Sequence, residues 1–243
     1  TPIMLVGAIS FLIHYRMVVE RVGPRSLWQL LELRVFVYVL VLGGLLLWGH
    51  RWLVGADTDP VSALVLWVSA ITATGVTSVN IATLDNGSLL LMLVGLAMGG
   101  MAGSAAGGIK LLRVGLLIKD VVGQLRRLRA TPHEVVVLRY NGARITPAEM
   151  ARLGHTALRL VGVFMLLWLV GVFIMLYWMP DDMRLAYVFF DTASALFNNG
   201  LATGVAGPDL DTGAALVLSV LMLLGRLEVF PLLLLVAFFL GRR

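Results

Sequence analysis

The chain has 243 residues, of which 59% are apolar and only 14% charged, with a formal charge of +5 and a mean hydropathy of +0.93. A soluble domain carries about 25% charged residues, so this composition leaves too little charge to cover a water-facing surface and points to a bilayer as solvent. The lack of cysteine excludes a disulfide scaffold and any thiolate-held zinc or iron–sulfur centre, and His14, His50, His133 and His155 show neither metal-ligand spacing nor a hydrolase motif.

In chain order, residues 2–19 read as the end of an apolar helix, as expected of a chain that begins inside a span. A basic stretch, 16–34, precedes an apolar run over 35–54. Residues 60–72 would make a helix of roughly 20 Å, too short to cross a bilayer, and are expected to be re-entrant. A long apolar run over 89–118 is interrupted by Gly99, Gly100, Gly103, Gly107 and Gly108, and 119–159 is polar and basic. Within it, the alternation over 135–140 leading into Asn141-Gly142 predicts a β-hairpin with a type I′ turn. Residues 160–178 form the next span, 185–197 a second short apolar piece and 214–240 the last span, closed by Arg242 and Arg243. The basic residues of 16–34, 119–159 and 242–243 then share one side, which the positive-inside rule makes cytoplasmic. The other side keeps Arg51 and Arg184 with Asp57, Asp59, Asp85, Asp181, Asp182, Asp191, Asp209 and Asp211. Those carboxylates either concentrate cations at a mouth or simply accompany exported loops poor in Lys and Arg.

An internal repeat organises these pieces. Residues 69–78 align with 194–203 at an offset of 125, while Asp85-Asn86-Gly87 aligns with Asp211-Thr212-Gly213, and Gly99 with Gly225, at 126. The expected fold is an all-α membrane protein of tandem membrane-helix, pore-loop, membrane-helix repeats, as in potassium channels, with a small cytoplasmic insert. Its divisions are 1–34 as the end of a preceding repeat with a linker, 35–118 as one complete repeat, 119–159 as the insert and 160–243 as a second complete repeat. A short helix entering from outside points its C-terminal carbonyls at the bilayer centre, which favours a cation. The extended residues beyond it, 73–76 and 198–201, have no lipid partner for their backbone and are tolerable where they line a watery path. Gly75 and Gly200 sit at equivalent places and permit carbonyls to turn toward one axis; the alternative is a glycine turn closing a buried hairpin. No carboxylate cage for a divalent ion is present in either loop.

Two further features stay open at this level. Gly99, Gly103 and Gly107 could form a small-residue face for helix packing, or the glycines could break the helix, each weakening it by about 1 kcal/mol. Arg226 lies roughly 21 Å into the last span, where a guanidinium costs at least about 2.5–3.5 kcal/mol without a partner. Glu228 cannot share its helix face, leaving an ion pair elsewhere or the carbonyls of the Gly-rich stretch. Lys110 could serve similarly or extend to the interface, and Ser104 has no histidine at membrane depth to make it a nucleophile.

The sequences TATG at 72–75, GGMAGSAAGGIK at 99–110, FNNGLATG at 197–204 and GRLEVFP at 225–231 together resemble the Trk/Ktr/HKT superfamily of potassium and sodium transporters, throughout the chain. The resemblance implies four repeats around one pore, with this chain supplying the tail of the second and the complete third and fourth. It implies coordination of potassium, or alternatively sodium, by carbonyls of Ala73, Thr74, Gly75 and Val76 and of Asn198, Asn199, Gly200 and Leu201. It also implies a gating loop of Gly99, Gly100, Gly103, Ser104, Gly107, Gly108 and Lys110 contacting Arg226. A membrane subunit for potassium uptake follows, channel-like or a symporter, in the inner membrane of a prokaryote. It would have no covalent cofactor, no nucleic acid partner, and membrane lipid around it. It would work as a homodimer with a cytoplasmic nucleotide-binding regulatory subunit, docked around Arg126, Arg127, Arg129 and Arg139. Met101, Ala105-Ala106 and the Asn198-Asn199 pair depart from the family pattern, and a non-conducting scaffold in which Asn198-Asn199 marks a decayed filter is the rival reading.

Overall fold

The computed structural model describes residues 2–56, 59–129, 138–180, 183–207 and 210–226. The fold is mostly helical. Helices α1 (Pro2–Ala8), α2 (Phe11–Val18) and α3 (Pro24–Leu27) lead into α4 (Leu31–Leu53), α5 (Pro60–Thr72), a short 3-10 turn (Ile81–Thr83), α6 (Asn86–Met98) and α7 (Leu111–Arg129). Strands β1 (Leu138–Tyr140) and β2 (Ala143–Ile145) follow, then α8 (Pro147–Met175), α9 (Leu185–Leu196) and α10 (Thr212–Arg226).

Helices α4 and α8 are long and apolar enough to cross a membrane. Their outward faces carry exposed Leu42, Leu45 and Leu46 on one and Leu166 and Phe173 on the other, the surface a hydrocarbon solvent requires. The 13-residue α5 and 12-residue α9 are too short to cross. Asp59 caps α5 by accepting from the amides of Val61 and Ser62 at 3.2 and 3.3 Å. Each short helix is flanked by neighbours from its own repeat, α4 and α6 around α5, and α8 and α10 around α9.

How α5 fits between its neighbours is set by one large side chain. Trp67 is buried, its Nε1 donates to the Val39 carbonyl at 3.1 Å, and its ring rests on two glycines. A Cβ at Gly43 would lie 1.9 Å from the Trp67 ring, and one at Gly95 2.8 Å from it. In the second repeat the residue 125 positions on is the much smaller Thr192, and there Gly171 of α8 admits Leu221 of α10 and Thr192 together. The buried side chains Leu47, Leu66, Met92, Leu96, Phe164, Phe190 and Phe197 form one apolar cluster that joins the repeats.

Three expectations are corrected. The opening helix does not run through 2–19: it breaks at Ser10, whose ψ of 135° leaves the helical region. The break exposes the last carbonyls of α1, which accept from elsewhere, Ala105 N to Gly7 O at 3.1 Å and Met101 N to Ala8 O at 3.0 Å. Helix α8 starts at Pro147, inside the stretch expected to be insert, because Thr146 and Glu149 form a capping box there. Asp191 does not belong with the outer carboxylates; it is 2% exposed, within α9. The two strands pair antiparallel through Asn141 and Gly142, both with positive φ, and Asn141 Oδ1 accepts from the Leu31 amide at 2.9 Å, at the start of α4. Residues 130–137, the last span beyond Arg226 with Glu228, and Asp57, Asp181, Asp182 and Asp209 lie outside the described residues.

At the ends opposite the hairpin, His50 Nε2 donates to Asp85 Oδ2 at 2.8 Å, tying the end of α4 to the start of α6. Arg184 donates to Asn86 Oδ1 at 2.6 Å and to Tyr187 Oη at 2.8 Å, and Tyr187 donates to the Ala82 carbonyl at 2.5 Å, joining the two repeats. Partial burial works to raise the Asp85 carboxyl, but the Ser88 hydroxyl, His50 and the Ser88 amide outweigh it and hold the group well below the usual carboxylate range. A depressed folded value means that the native state binds fewer protons than the unfolded chain. The stabilisation is therefore complete above the ordinary carboxylate pKa and is lost as pH falls toward the folded value. Asp85→Ala removes this pairing and the cap on α6, and should cost about 1 kcal/mol near neutral pH, or about 2–4 °C in Tm. Thermal unfolding in detergent should show that deficit shrinking below about pH 4; a deficit constant across the range would contradict the assignment.

Candidate functional site

The two loops that follow the short helices share one backbone design. Helix α5 ends in Ala73 at φ 51°, and the residue 125 positions on, Asn198, has φ 52°. The Thr74 amide donates to Ser69 O at 3.3 Å, and the equivalent Asn199 amide to Ser194 O at 2.9 Å. Gly75 and Gly200 follow at φ 70° and 91°. A left-handed Ala73 costs about 1–2 kcal/mol, a cost that Asn198 largely avoids, so the shared φ marks a conformation imposed by the surroundings in the first loop and accommodated by residue choice in the second. It turns the chain at the end of each short helix into Thr74–Val76 and Asn199–Leu201.

The loops meet each other. A Cβ at Gly75 would sit 2.7 Å from the Asn199 carbonyl oxygen and 3.1 Å from Gly200 Cα. Asn199 Nδ2 donates to the Ala70 carbonyl in α5 at 2.6 Å, bracketing the second loop to the first short helix. Asn198 Nδ2 donates to the Met222 carbonyl of α10 at 2.9 Å. Both asparagines thus place their amide nitrogens on main-chain carbonyls. Thr72 Oγ1 donates to Val68 O at 2.7 Å and meets Thr74 Oγ1 at 2.8 Å. The outer ends differ, since Val76 is exposed whereas Leu201 is buried.

The Gly-rich stretch separates α6 from α7 and is not helical, so Gly99, Gly103 and Gly107 do not form a small-residue stripe on one helix face. Gly99, Gly103, Gly108 and Lys110 have positive φ. The stretch packs directly beneath the second loop: a Cβ at Gly107 would lie 1.8 Å from the Phe197 carbonyl oxygen. Gly225 of α10 makes a similar approach, with a Cβ 1.6 Å from Leu196 O. Side chains and main chain from four directions hold the stretch. Arg226 Nη1 donates to the Ala105 carbonyl at 3.0 Å. Lys110, buried rather than extended toward an interface, donates to the Ala106 carbonyl through Nζ. Glu32 of α4 accepts from the Ala102 amide, and Ser104 Oγ donates to Met101 O at 2.6 Å. The carbonyls of Gly7 and Ala8 in α1 and the Phe11 amide of α2, which donates to the Gly103 carbonyl at 3.0 Å, supply the third and fourth sides, while Lys110 and Ser104 bond within the stretch.

The structure thus brings the two loops into contact with each other, and the second loop into contact with the stretch that carries Gly99, Gly100, Gly103, Ser104, Gly107, Gly108 and Lys110 and meets Arg226, whereas Arg126, Arg127 and Arg129 lie apart at the end of α7. Sequence reasoning missed Glu32 and Asp191. An Asp inside the apolar run Val188–Ala195 was a signal by itself, because charge at such depth requires a partner; Glu32, in an ordinary helix start, gave none.

A family model described as "TrkH: Cation transport protein" matches residues 54–241. The chain is similar to the Trk system potassium uptake protein TrkH of Vibrio parahaemolyticus, with 30% identity over 241 residues, covering 96% of this chain and 48% of the relative. It is 28% identical over 239 residues to the Escherichia coli K12 protein of the same name, covering 96% of this chain and 48% of that one. An uncharacterized cation transporter of Methanocaldococcus jannaschii is 27% identical over 183 residues, 73% of this chain and 36% of that protein. The crystal structure of the potassium transporter TrkH from Vibrio parahaemolyticus superposes with a TM-score of 0.78 at 29% identity, covering 96% of this chain and 50% of that one. The chain spans about half the length of the curated relatives it matches.

The loop geometry separates the two glycines. Gly75 has both a left-handed φ and a backbone neighbour at 2.7 Å, whereas a Cβ at Gly200 would meet only Gly75 Cα at 3.6 Å. Gly75→Ala should therefore combine left-handed strain of about 1–2 kcal/mol with an overpacking cost of about 1–3 kcal/mol, and Gly200→Ala should show the strain alone. Thermal unfolding of the purified variants checks the order, which would be reversed or absent if the loops did not touch as described.

Proposed function

The chain belongs to the TrkH family of cation transport proteins, and from that premise we propose that it forms part of a potassium-uptake membrane subunit whose ion path passes between its two loops. The observation that carries the reading is the pair of loops in register, each with a left-handed residue and a glycine at the same offset, meeting backbone to backbone. The carbonyls of Ala73, Thr74, Gly75 and Val76 and of Asn198, Asn199, Gly200 and Leu201 act as the coordinating groups. Neutral oxygens replacing water suit a large monovalent cation, which sheds its hydration cheaply and is bound weakly enough to leave. Helices α5 and α9 end at these loops, so their C-terminal partial charges add to the attraction.

The Gly-rich stretch is the gate. It lies under the second loop in contact with Phe197, held by Arg226 on Ala105, Lys110 on Ala106 and Glu32 on Ala102. A guanidinium keeps its charge and offers several donors, so Arg226 both latches a non-helical segment and opposes cations there. Helix α7 begins at Leu111, directly after the stretch, and ends in the exposed Arg126, Arg127 and Arg129. A nucleotide-binding regulatory subunit docked on those arginines, across a homodimer, would pull on the gate through a single rigid helix. The resemblance to the superfamily and the potassium-uptake names of the relatives support potassium as the ion and a prokaryotic inner membrane as the setting.

Arg226→Ala, or deletion within 101–106, should raise regulator-independent rubidium flux in liposomes, normalised to folded protein. The loss of one charged hydrogen bond, about 1.5–3 kcal/mol, corresponds to an increase of about tenfold or more. Equal or lower normalised flux in both variants would reject the gate and leave Arg226 a packing residue.

A further inference from the structure

Asp191 sits in the middle of α9 with Val188, Phe190 and Ala193 buried around it, and is itself 2% exposed. A carboxylate withdrawn from water at this depth persists only where several donors satisfy it. Its Oδ1 accepts from the Thr203 amide at 2.7 Å and the Thr203 hydroxyl at 2.9 Å, and its Oδ2 accepts from the Ala206 amide at 3.1 Å. The Val205 amide also faces it. All of these donors belong to one turn, 203–206, immediately beyond the loop 198–201, and the turn wraps the carboxylate with Gly204 at φ 108°.

The helix-loop-helix design does not itself require this device. At the same place in the first repeat stands Leu66, 1% exposed in the apolar core. The turn beyond the first loop is held by its own side chains: Thr77 Oγ1 donates to Val79 O at 2.6 Å, and Asn80 Oδ1 accepts from the Ala82 amide at 3.0 Å. A buried charge is spent on one loop only, the one whose inner end is already bracketed by Asn198 and Asn199.

We infer that Asp191 is a specificity-determining positioning residue, clamping the turn 203–206 to α9 so that the carbonyls of 198–201 cannot collapse around a cation smaller than potassium. With Asn198 and Asn199 fixing the inner end and Asp191 the outer end, the loop is held at both sides of Gly200, the residue with the most conformational freedom. The inference rests on the reading of 198–201 as an ion-coordinating loop.

The test measures potassium, rubidium and sodium flux per folded molecule in liposomes, for the full-length transporter and its Asp191→Asn, Thr203→Val and Gly200→Ala variants. Asn keeps the shape but offers one acceptor oxygen and turns an NH2 group toward backbone amides, so the clamp is half lost. The potassium-to-sodium flux ratio should fall by about fivefold or more in Asp191→Asn, and by less in Thr203→Val, which loses only the hydroxyl donor. A merely structural role would lower the amount of folded protein and leave the ratio alone, and an unchanged ratio in Asp191→Asn overturns the inference. Should that variant not fold, an unchanged ratio in Thr203→Val overturns it equally. If Gly200→Ala shifts the ratio and Asp191→Asn does not, the coordinating loop stands and the role of Asp191 falls. A parent protein that does not discriminate between the ions removes both.

Discussion

Backbone N–H and C=O groups have no water to bond with inside a bilayer, and this constraint governs the whole structure. Helices satisfy it internally, but an ion path needs main chain that is not helical. Two of the described non-helical pieces are accordingly met by specific partners: the Gly-rich stretch by Arg226, Lys110, Glu32 and the last carbonyls of α1, and the turn 203–206 by Asp191. The break in the first helix at Ser10 belongs to the same logic. A continuous helix through 2–19 would have consumed the Gly7 and Ala8 carbonyls internally, and the amides of Ala105 and Met101 would have lost their acceptors.

The two repeats share a backbone but not a way of holding it. Trp67 against Gly43 and Gly95 becomes Thr192 near Gly171, and Leu66 becomes Asp191. The first repeat is fixed by close packing of one large ring between glycines, where a single added methyl would force the ring to move. The second is fixed by hydrogen bonds that Asn198 and Asn199 donate and that Asp191 accepts. Equivalent positions in the two loops are therefore not equivalent in energy. The backbone repeat of 125 residues survives because the left-handed residue and the glycine, which set the chain direction, are kept at the same places.

Much of this was legible in the sequence because membrane insertion leaves a strong signal. The short helix expected over 60–72 coincides with α5, the glycines over 99–108 fall between α6 and α7, and the repeat puts Ala73 opposite Asn198. What the sequence concealed were contacts between distant segments. The partner of Arg226 was open between an ion pair and the Gly-rich carbonyls, and only the packing of α10 on the stretch brings Nη1 to Ala105. Asp191 was grouped with outer-loop carboxylates because a count by charge and side ignores depth along a short helix. The start of α8 was missed because Thr146 and Glu149 cap a helix whose first turns are polar, so hydropathy alone dated its beginning too late.

The strength with which the Gly-rich stretch is held fits the proposed role as a gate. Neutral backbone hydrogen bonds contribute about 0.5–1.5 kcal/mol each and charged ones about 1.5–3. The contacts with Gly7, Ala8, Phe11, Glu32 and Arg226 therefore total on the order of 5–10 kcal/mol before the cost of ordering the segment. Inverting a two-state population from 1:99 to 99:1 needs about 5.5 kcal/mol of differential binding. A segment held by helical packing over its full length would resist such a bias, and one held by Arg226 alone would not stay closed without it. Having several weak main-chain contacts beside a few charged ones, from Arg226, Glu32 and Lys110, puts the closed state within reach of a partner that acts on α7. The glycines make the change feasible, because at Gly99 and Gly108 a Cβ would strike neighbouring main chain, 2.1 Å from the Gly107 carbonyl oxygen and 2.7 Å from Gly99 Cα.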